Sequence, residues 1–367
     1  MMIKSKAQRD ATFRLILVLI LLTSLTTDAA GQTTQTPKQQ NPPAGKPSPS
    51  PPVEDDDGEV IRVTSNLIVV PVSVTDARGE PVQGLKVADF RLAEEGRQQE
   101  IAQVGDAEQV PLDIAILFDV SSSVTKKFEF QKQAAAGFLK QVLKPVDRAA
   151  IFTIAEKARM EQGLASAEIA TAKLMTIPAA DKPTGTAFYD SVTAAAKYLV
   201  ENAPGRHRRV ILVISDGEDN FSDKLRQSTL DEVRGGGNLL TAREKQQALH
   251  RSALQEVLRE VQRADAVFYS INPSGMSIRM NVISKRAQEG MQEVADATGG
   301  SSFVPEEIED LETVFRRIAA ELRAQYLLQY YSKTEARKGT FLRIKVQSPT
   351  QPELRIRARQ GYYVSGR

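Results

Sequence analysis

Runs of apolar residues alternate with helix-like segments through the centre of the chain, and this order restricts the fold more than any other feature. The apolar runs that read as buried strands are residues 114–118, 149–154, 210–214 and 266–271. The helix-like segments are residues 128–143, 187–200, 242–263, 285–298 and 308–323. Strands that are apolar on both faces and alternate with helices are typical of a parallel sheet covered on both sides. The sequence therefore predicts an α/β fold over residues 109–324, with a doubly wound, mostly parallel sheet.

Shorter strand-like segments flank this region on both sides. In "SNLIVVPVSVTD" apolar residues recur at every second position, and the pattern returns after residue 324 in "QYLLQYY" and "GYYV". Small isolated sheets rarely bury enough surface to be stable. We therefore expect the N-terminal β segment, residues 58–108, to pair with the C-terminal β segment, residues 325–367, in one small β-sandwich into which the α/β domain is inserted.

The first 57 residues have a different character. Four basic side chains precede the apolar run 15–22, and small residues follow at 29–31, which is the order of a secretory signal peptide over residues 1–31. An uncleaved membrane anchor is the alternative, although the run is short for a span of about 20 residues. Residues 32–57 are rich in Pro, Ser and Gln, which predicts a disordered linker. We expect an exported protein, periplasmic or at the cell surface, that meets the membrane only through an uncleaved signal segment.

The composition excludes several kinds of site. The chain has no cysteine and two histidines, so disulfides, thiolate metal sites and histidine-rich zinc sites are ruled out. The formal net charge is +2, and removal of residues 1–30 would leave it near zero. The charge therefore gives no reason to expect a nucleic-acid partner.

Polar side chains gather where the predicted strands end. Asp119, Ser121 and Ser123 follow the first strand of the α/β domain, Thr186 precedes a helix, and Asp216 follows another strand. In doubly wound sheets, ligands bind beyond the carboxyl ends of the strands. Two carboxylates and three hydroxyls at that edge offer oxygen ligands only, which is the chemistry that Mg²⁺ prefers.

At these residues the sequence resembles a von Willebrand factor A (VWFA) domain. The metal-ion-dependent adhesion site (MIDAS) of that family reads D-x-S-x-S, then a threonine, then an aspartate. The matching residues here are Asp119, Ser121, Ser123, Thr186 and Asp216. The resemblance implies that the hydroxyls contact Mg²⁺ or Mn²⁺, that the carboxylates act directly or through water, and that the metal accepts an Asp or Glu side chain from a protein partner.

The resemblance extends beyond the site to the VWFA-related domain family described from acidobacterial genomes. The stretches "ATGGSSFVP", "LRAQYLLQYY" and "ARQGYYV" carry this wider similarity. The polar stretch 221–250 departs from the simplest family pattern, and it reads either as a loop that sets partner choice or as a tolerated surface insertion.

The function expected from these observations is that of a non-enzymatic, metal-dependent protein-binding module. Two alternatives remain open at this point. One is a structural subunit of an envelope complex in which the metal only holds loops together. The other is a magnesium-dependent hydrolase with an aspartate nucleophile, although no Gly-rich phosphate loop and no Ser-His-Asp order occurs.

Two groups of side chains near the C-terminus need no ligand to explain them. We expect the tyrosines there to pack across strands. The basic side chains of two late strands are expected to share one solvated sheet face, with an anionic cell-surface polymer as the alternative ligand. The tyrosines are Tyr326, Tyr330, Tyr331, Tyr362 and Tyr363, and the basic residues are Arg343, Lys345, Arg355, Arg357 and Arg359.

Overall fold

The structure is a computed structural model that describes residues 66–121, 125–180, 184–226, 239–275 and 282–364. The predicted signal peptide and linker, at residues 1–31 and 32–57, lie outside the described residues, as does the start of the N-terminal β segment. The domain boundaries drawn from the sequence therefore stay predictions. Within the described part of the chain, no helix is both long and apolar enough to cross a lipid bilayer.

A six-stranded sheet forms the centre of the α/β domain, and its strand order is β10-β9-β8-β5-β6-β7. Its strands are β5 (Leu112–Asp119), β6 (Arg148–Ile154), β7 (Arg159–Ala165), β8 (Arg208–Ile214), β9 (Ala266–Ile271) and β10 (Ser302–Phe303). All pairings are parallel except that of β7 with β6, which is antiparallel. This confirms the doubly wound, mostly parallel sheet that the apolar runs predict.

Helices cover both faces of this sheet. They are α1 (Thr125–Val142), α2 (Ala167–Met175), α3 (Phe188–Asn202), α4 (Leu239–Arg263), α5 (Val282–Thr298) and α6 (Leu311–Ala324). One buried cluster joins α1, α2 and α6 to the sheet, and the other joins α3, α4 and α5 to its opposite face. Because β5 lies in the middle of the sheet, successive residues such as Ile116 and Leu117 point into opposite cores, and both are fully buried.

The terminal segments form the two sheets of a β-sandwich. Their strands are β1 (Asn66–Thr75), β2 (Arg91–Glu94), β3 (Arg97–Gln99), β4 (Ile101–Asp106), β11 (Tyr326–Ser332), β12 (Phe341–Gln347), β13 (Arg355–Ala358) and β14 (Gly361–Tyr363). The sheet orders are β13-β1-β11-β4 and β14-β12-β2-β3, so each sheet takes two strands from each end of the chain. The two segments are thus interleaved, which confirms the predicted pairing, and neither sheet can form from one segment alone.

A buried carboxylate lies at the centre of the sandwich. Glu94 on β2 is fully buried, and its two oxygens accept hydrogen bonds of 2.5–2.9 Å from the hydroxyls of Tyr330, Ser332, Thr334 and Tyr362. Burial by itself raises the pKa of Glu94, but the four hydroxyl donors outweigh burial and leave the pKa below its usual value. Hydrogen bonds to Glu94 therefore link the two sheets, and they hold the hydroxyl groups of Tyr330 and Tyr362 in place.

The sandwich contacts the α/β domain through backbone as well as side chains. Gln360 donates its backbone N–H to the carbonyl of Ala297 at 2.9 Å. Gly299 adopts a φ of +85°, and a Cβ there would lie 2.8 Å from the carbonyl carbon of Ala358. Only glycine combines a positive φ with such a close approach at low cost. The "ATGG" stretch is thus explained by the junction between the two modules.

The basic residues of the late strands do not share one face, so that prediction is wrong. Arg343 lies on β12 in one sheet of the sandwich, whereas Arg357 lies on β13 in the other. Arg357 forms an ion pair with Glu321 of α6, and Arg359 forms one with Asp265 beside β9. These two arginines face the α/β domain because their charges are matched by its carboxylates.

The burial and hydrogen bonding of Glu94 lead to a prediction about the stability of the fold. A folded-state pKa below the unfolded value of about 4.3 means that Glu94 stabilises the fold above that pH, and that this contribution is lost as pH falls through the folded pKa. Glu94→Gln should lower the free energy of unfolding by about 2 kcal/mol at neutral pH, and the deficit should shrink below about pH 4.

Urea unfolding at a series of pH values measures this difference. The matched control is Glu100→Gln, because Glu100 is exposed in the same region of the sequence. A deficit that stays constant down to about pH 3 would show that Glu94 is not held as a carboxylate.

Candidate functional site

Three loops meet at the carboxyl edge of the central sheet. Asp119 is the last residue of β5, and Ser215 and Asp216 follow the neighbouring parallel strand β8. The loop before α3 is tied to the end of β6, because Ala187 donates its N–H to the carbonyl of Ala155 at 2.7 Å. Apolar strands of matched length therefore bring Asp119, Asp216 and the Thr186 loop to one edge of the sheet.

Both oxygens of the Asp119 carboxylate accept hydrogen bonds from serine hydroxyls. Ser121 Oγ donates to Oδ1 at 2.6 Å, and Ser215 Oγ donates to Oδ2 at 2.6 Å. The backbone N–H of Ser121 adds a third bond to Oδ1 at 2.9 Å. Because the Ser121 hydroxyl donates its hydrogen bond to Asp119, the lone pairs of its oxygen stay available for a cation.

Thr186 is positioned by the loop that follows Asp216. Its N–H donates to Asn220 Oδ1 at 2.8 Å, and its carbonyl accepts the N–H groups of Asn220 and Phe221 at 3.1 and 3.0 Å. At the preceding Gly185, a Cβ would lie 2.1 Å from the Phe221 ring, so only glycine allows this approach. The side-chain hydroxyl of Thr186 has no hydrogen-bond partner among the described residues, which leaves it free to bind a ligand.

The two carboxylates at this edge resist ionisation. Burial raises the pKa of Asp119, although the hydrogen bonds from Ser121 and Ser215 oppose the shift. Burial also raises the pKa of Asp216 to about 6; a hydrogen bond from the Glu218 N–H opposes this, and the negative charges of Asp119 and Glu218 add to it. No lysine or arginine pairs with either carboxylate among the described residues. A cation at this edge would favour the ionised form of both carboxylates and lower their pKa values.

The residues present fit a hard divalent cation. They offer the hydroxyls of Ser121 and Thr186 and the carboxylates of Asp119 and Asp216, all oxygen donors of the kind that Mg²⁺ and Mn²⁺ take. In the described part of the chain no three His, Cys, Asp or Glu side chains come together as a metal site. Any cation at this edge would thus take part of its coordination from neutral hydroxyl oxygens.

Sequence reasoning missed three residues that hold this edge together. Ser215 orients Asp119, Asn220 holds Thr186, and the buried Asp219 accepts the N–H of Tyr189 at 2.7 Å near the start of α3. Asp219 also accepts the N–H groups of Phe221 and Ser222 at 3.1 and 3.0 Å. All three belong to the stretch "SDGEDN", whose density of polar residues after an apolar strand was the available signal.

Two of the sequence predictions fall partly or wholly outside the described residues. Ser123, the fifth predicted metal ligand, lies there, and its role stays a prediction. So do residues 227–238 at the centre of the polar stretch 221–250. The metal-binding role of the other four residues also stays a prediction, although their placement at one edge meets the geometric requirement for it.

The comparison with protein families decides the identity of this domain. Residues 113–316 match the model described as the von Willebrand factor type A domain. The chain belongs to the von Willebrand factor type A domain family. Asp119 and Asp216 both lie within the matched residues. A comparison with curated protein sequences finds no match.

Several solved structures resemble the chain at low identity. The D319A mutant of the PilB minor pilin from Streptococcus sanguinis is 11% identical, with 59% of this chain and 62% of that chain covered and a TM-score of 0.44. The vWF domain of the type V pili tip protein Mfa5 from Porphyromonas gingivalis is 10% identical, with coverages of 57% and 94% and a TM-score of 0.40.

A third structure is that of proximal thread matrix protein 1 from the mussel byssus, which has a zinc-occupied MIDAS motif. It is 16% identical, with 61% of this chain covered and a TM-score of 0.39, and the chain spans about half (48%) of its length. At such low identities and TM-scores, these likenesses carry no information on what this chain binds.

Ser215→Ala tests the support of Asp119. The substitution leaves Oδ2 of a buried carboxylate without its hydroxyl donor, which should lower the free energy of unfolding by about 1–3 kcal/mol. Urea unfolding in the presence of EDTA measures this loss without any contribution from metal. Ser166→Ala is the control, because Ser166 is exposed and makes no side-chain capping bond at the start of α2. Equal effects of the two substitutions would contradict the role given to Ser215.

Proposed function

We propose that this protein is an exported, non-enzymatic binding module that uses a divalent cation at the carboxyl edge of its central sheet to engage an Asp or Glu side chain of a protein partner. The metal is Mg²⁺ or Mn²⁺, held by Asp119, Ser121, Ser123, Thr186 and Asp216. Export rests on the signal-like residues 1–31. No feature of the composition calls for a nucleic-acid partner.

One observation carries this proposal. The Asp119 carboxylate accepts hydrogen bonds from the Ser121 and Ser215 hydroxyls, so the lone pairs of the Ser121 oxygen are left for a cation. A cation held mainly by neutral oxygens keeps its attraction for an incoming carboxylate, whereas a cage of four carboxylates would satisfy it. The site is therefore suited to bind the metal moderately and an acidic partner group in addition.

The same hydrogen bonds argue against a hydrolase. Both Asp119 oxygens accept hydrogen bonds from serine hydroxyls at 2.6 Å, and such bonds make a carboxylate a weaker nucleophile. The other alternative, a metal that only holds loops together, differs from the proposal in one respect. It makes no use of a coordination position for a ligand from outside the chain.

Isothermal titration of Mg²⁺ and Mn²⁺ into the purified protein tests the metal site. Zn²⁺ belongs in the same experiment as a competitor. We expect one saturable site in the parent protein and an affinity lower by about tenfold or more, which is about 1.4 kcal/mol, in Asp119→Ala. Asp296→Ala is the matched control, because Asp296 is an exposed carboxylate on α5 and should leave the affinity unchanged.

Two results would overturn the proposal. One is the absence of binding by a parent protein that circular dichroism shows to be folded. The other is equal affinity in the parent and in Asp119→Ala, because the cation would then bind elsewhere.

A further inference from the structure

The loop that carries Asp216 is held from two sides. On one side, the hydroxyl of the preceding Ser215 donates a hydrogen bond to Asp119 Oδ2 at 2.6 Å. On the other side, Gly217 packs against Met291 of α5, because a Cβ at Gly217 would lie 2.9 Å from Met291 Cε. Met291 is fully buried, so this contact is part of the core on that face of the sheet. The loop therefore contacts both the end of β5 and helix α5.

A hydrogen bond between Glu218 and Ser284 adds a polar contact between the same loop and α5. The Ser284 hydroxyl donates to Glu218 Oε1 at 2.5 Å, and both side chains are half-buried. Ser284 belongs to the first turn of α5. A negative charge is favourable there because the helix dipole is positive at its N-terminal end. Two residues that lie 66 positions apart in the sequence thus join the loop to the helix.

The backbone of Glu218 contacts one of the predicted metal ligands. Its N–H donates to Asp216 Oδ1 at 3.0 Å. Hydrogen bonds from neighbouring groups fix the orientation of a carboxylate that binds a metal, and such supporting bonds affect metal affinity. The position of Glu218 therefore sets the orientation of the Asp216 carboxylate.

Helix α5 gives this contact a fixed support. Asn272, which follows β9, donates its side-chain amide to Gln288 Oε1 at 3.1 Å. Gln288 Nε2 in turn donates to the hydroxyl of Ser302 on β10 at 3.0 Å. Because Ser284 and Gln288 are four residues apart on one helix, they lie on the same face of α5. The face of α5 that holds Glu218 is thus itself bound to the ends of two strands of the central sheet.

We propose that Glu218 and Ser284 are positioning residues of the metal edge. Their hydrogen bond holds the loop to α5, and the Glu218 N–H then holds the Asp216 carboxylate in the orientation in which it can bind a cation. Glu218 supports the metal ligands and is not one of them, because its side chain is directed to Ser284. The effect on metal binding rests on the proposed function, whereas the effect on the loop does not require a metal.

Titration of Mn²⁺ into variants of the full-length protein tests the effect on metal binding. Ser284→Ala and Glu218→Ala should each weaken Mn²⁺ binding by about fivefold or more, because either substitution removes the hydrogen bond. Ser284→Thr keeps the hydroxyl and should bind Mn²⁺ within about twofold of the parent affinity. Glu293→Ala, which removes an exposed carboxylate from α5, is the control that should not change the affinity.

A double variant tests whether the two side chains act through one contact. If they do, the combination of Ser284→Ala with Glu218→Ala should weaken Mn²⁺ binding no more than either single substitution.

Amide hydrogen exchange in the presence of EDTA tests the position of the loop without metal. In Ser284→Ala, the amide proton of Glu218 should exchange about fivefold faster or more than in the parent, because the loop is no longer held to α5 through Glu218. Glu293→Ala should leave this rate unchanged. A parent protein that binds no Mn²⁺ would contradict the proposed function, and the exchange rate alone would then decide whether Ser284 holds the loop.

Three outcomes would overturn the inference. The first is that Ser284→Ala binds Mn²⁺ as tightly as the parent, because any effect of Glu218→Ala would then come from its charge. The second is that the effects of the two substitutions multiply in the double variant. The third is an unchanged exchange rate of the Glu218 amide in a Ser284→Ala protein that circular dichroism shows to be folded.

Discussion

The hydrogen bonding of the Asp119 carboxylate is the interaction on which the metal edge depends. An apolar strand that is buried on both faces ends at Asp119. Burial raises the pKa of this carboxyl group, and two serine hydroxyls from different loops donate hydrogen bonds to it at 2.6 Å. Ser215 in turn accepts the N–H of Gly217 at 3.0 Å, and the same loop carries Asp216 and Asn220. Through these contacts the position of Asp119 fixes that of the other metal-binding candidates.

The sandwich also contains a buried carboxylate that accepts hydrogen bonds from hydroxyl groups, but its pKa shifts in the opposite direction. Glu94 is also a buried carboxylate surrounded by hydroxyls, but its four hydroxyl donors outweigh burial and lower its pKa, whereas two hydroxyls and one backbone N–H at Asp119 do not outweigh burial and leave that pKa raised. A fully satisfied carboxylate stabilises packing, and an incompletely satisfied one attracts a cation. The two buried carboxylates therefore differ in the direction of their pKa shifts.

The features that could be predicted from the sequence are those that local periodicity and the ends of strands encode. The run "DIAILFD" specifies both the central strand β5 and the placement of Asp119. The edge strand β7, "RMEQGLA", escaped prediction because its polar residues and glycine resemble a loop, and only pairing with β6 makes it a strand. Glu94 and Arg357 look like surface charges in sequence, because their partners lie more than 30 residues away along the chain.

The central claim is that a cation bound at Asp119 keeps a position open for an acidic group. Electron-nuclear double resonance of the Mn²⁺-loaded protein with ¹³C-carboxyl acetate measures this directly. The account predicts a ¹³C coupling characteristic of an acetate oxygen bound to Mn²⁺, which is lost in Asp119→Ala at the same total Mn²⁺ concentration. Tightly bound Mn²⁺ that shows no ¹³C coupling at saturating acetate would contradict the account, because the metal would then have only a structural role.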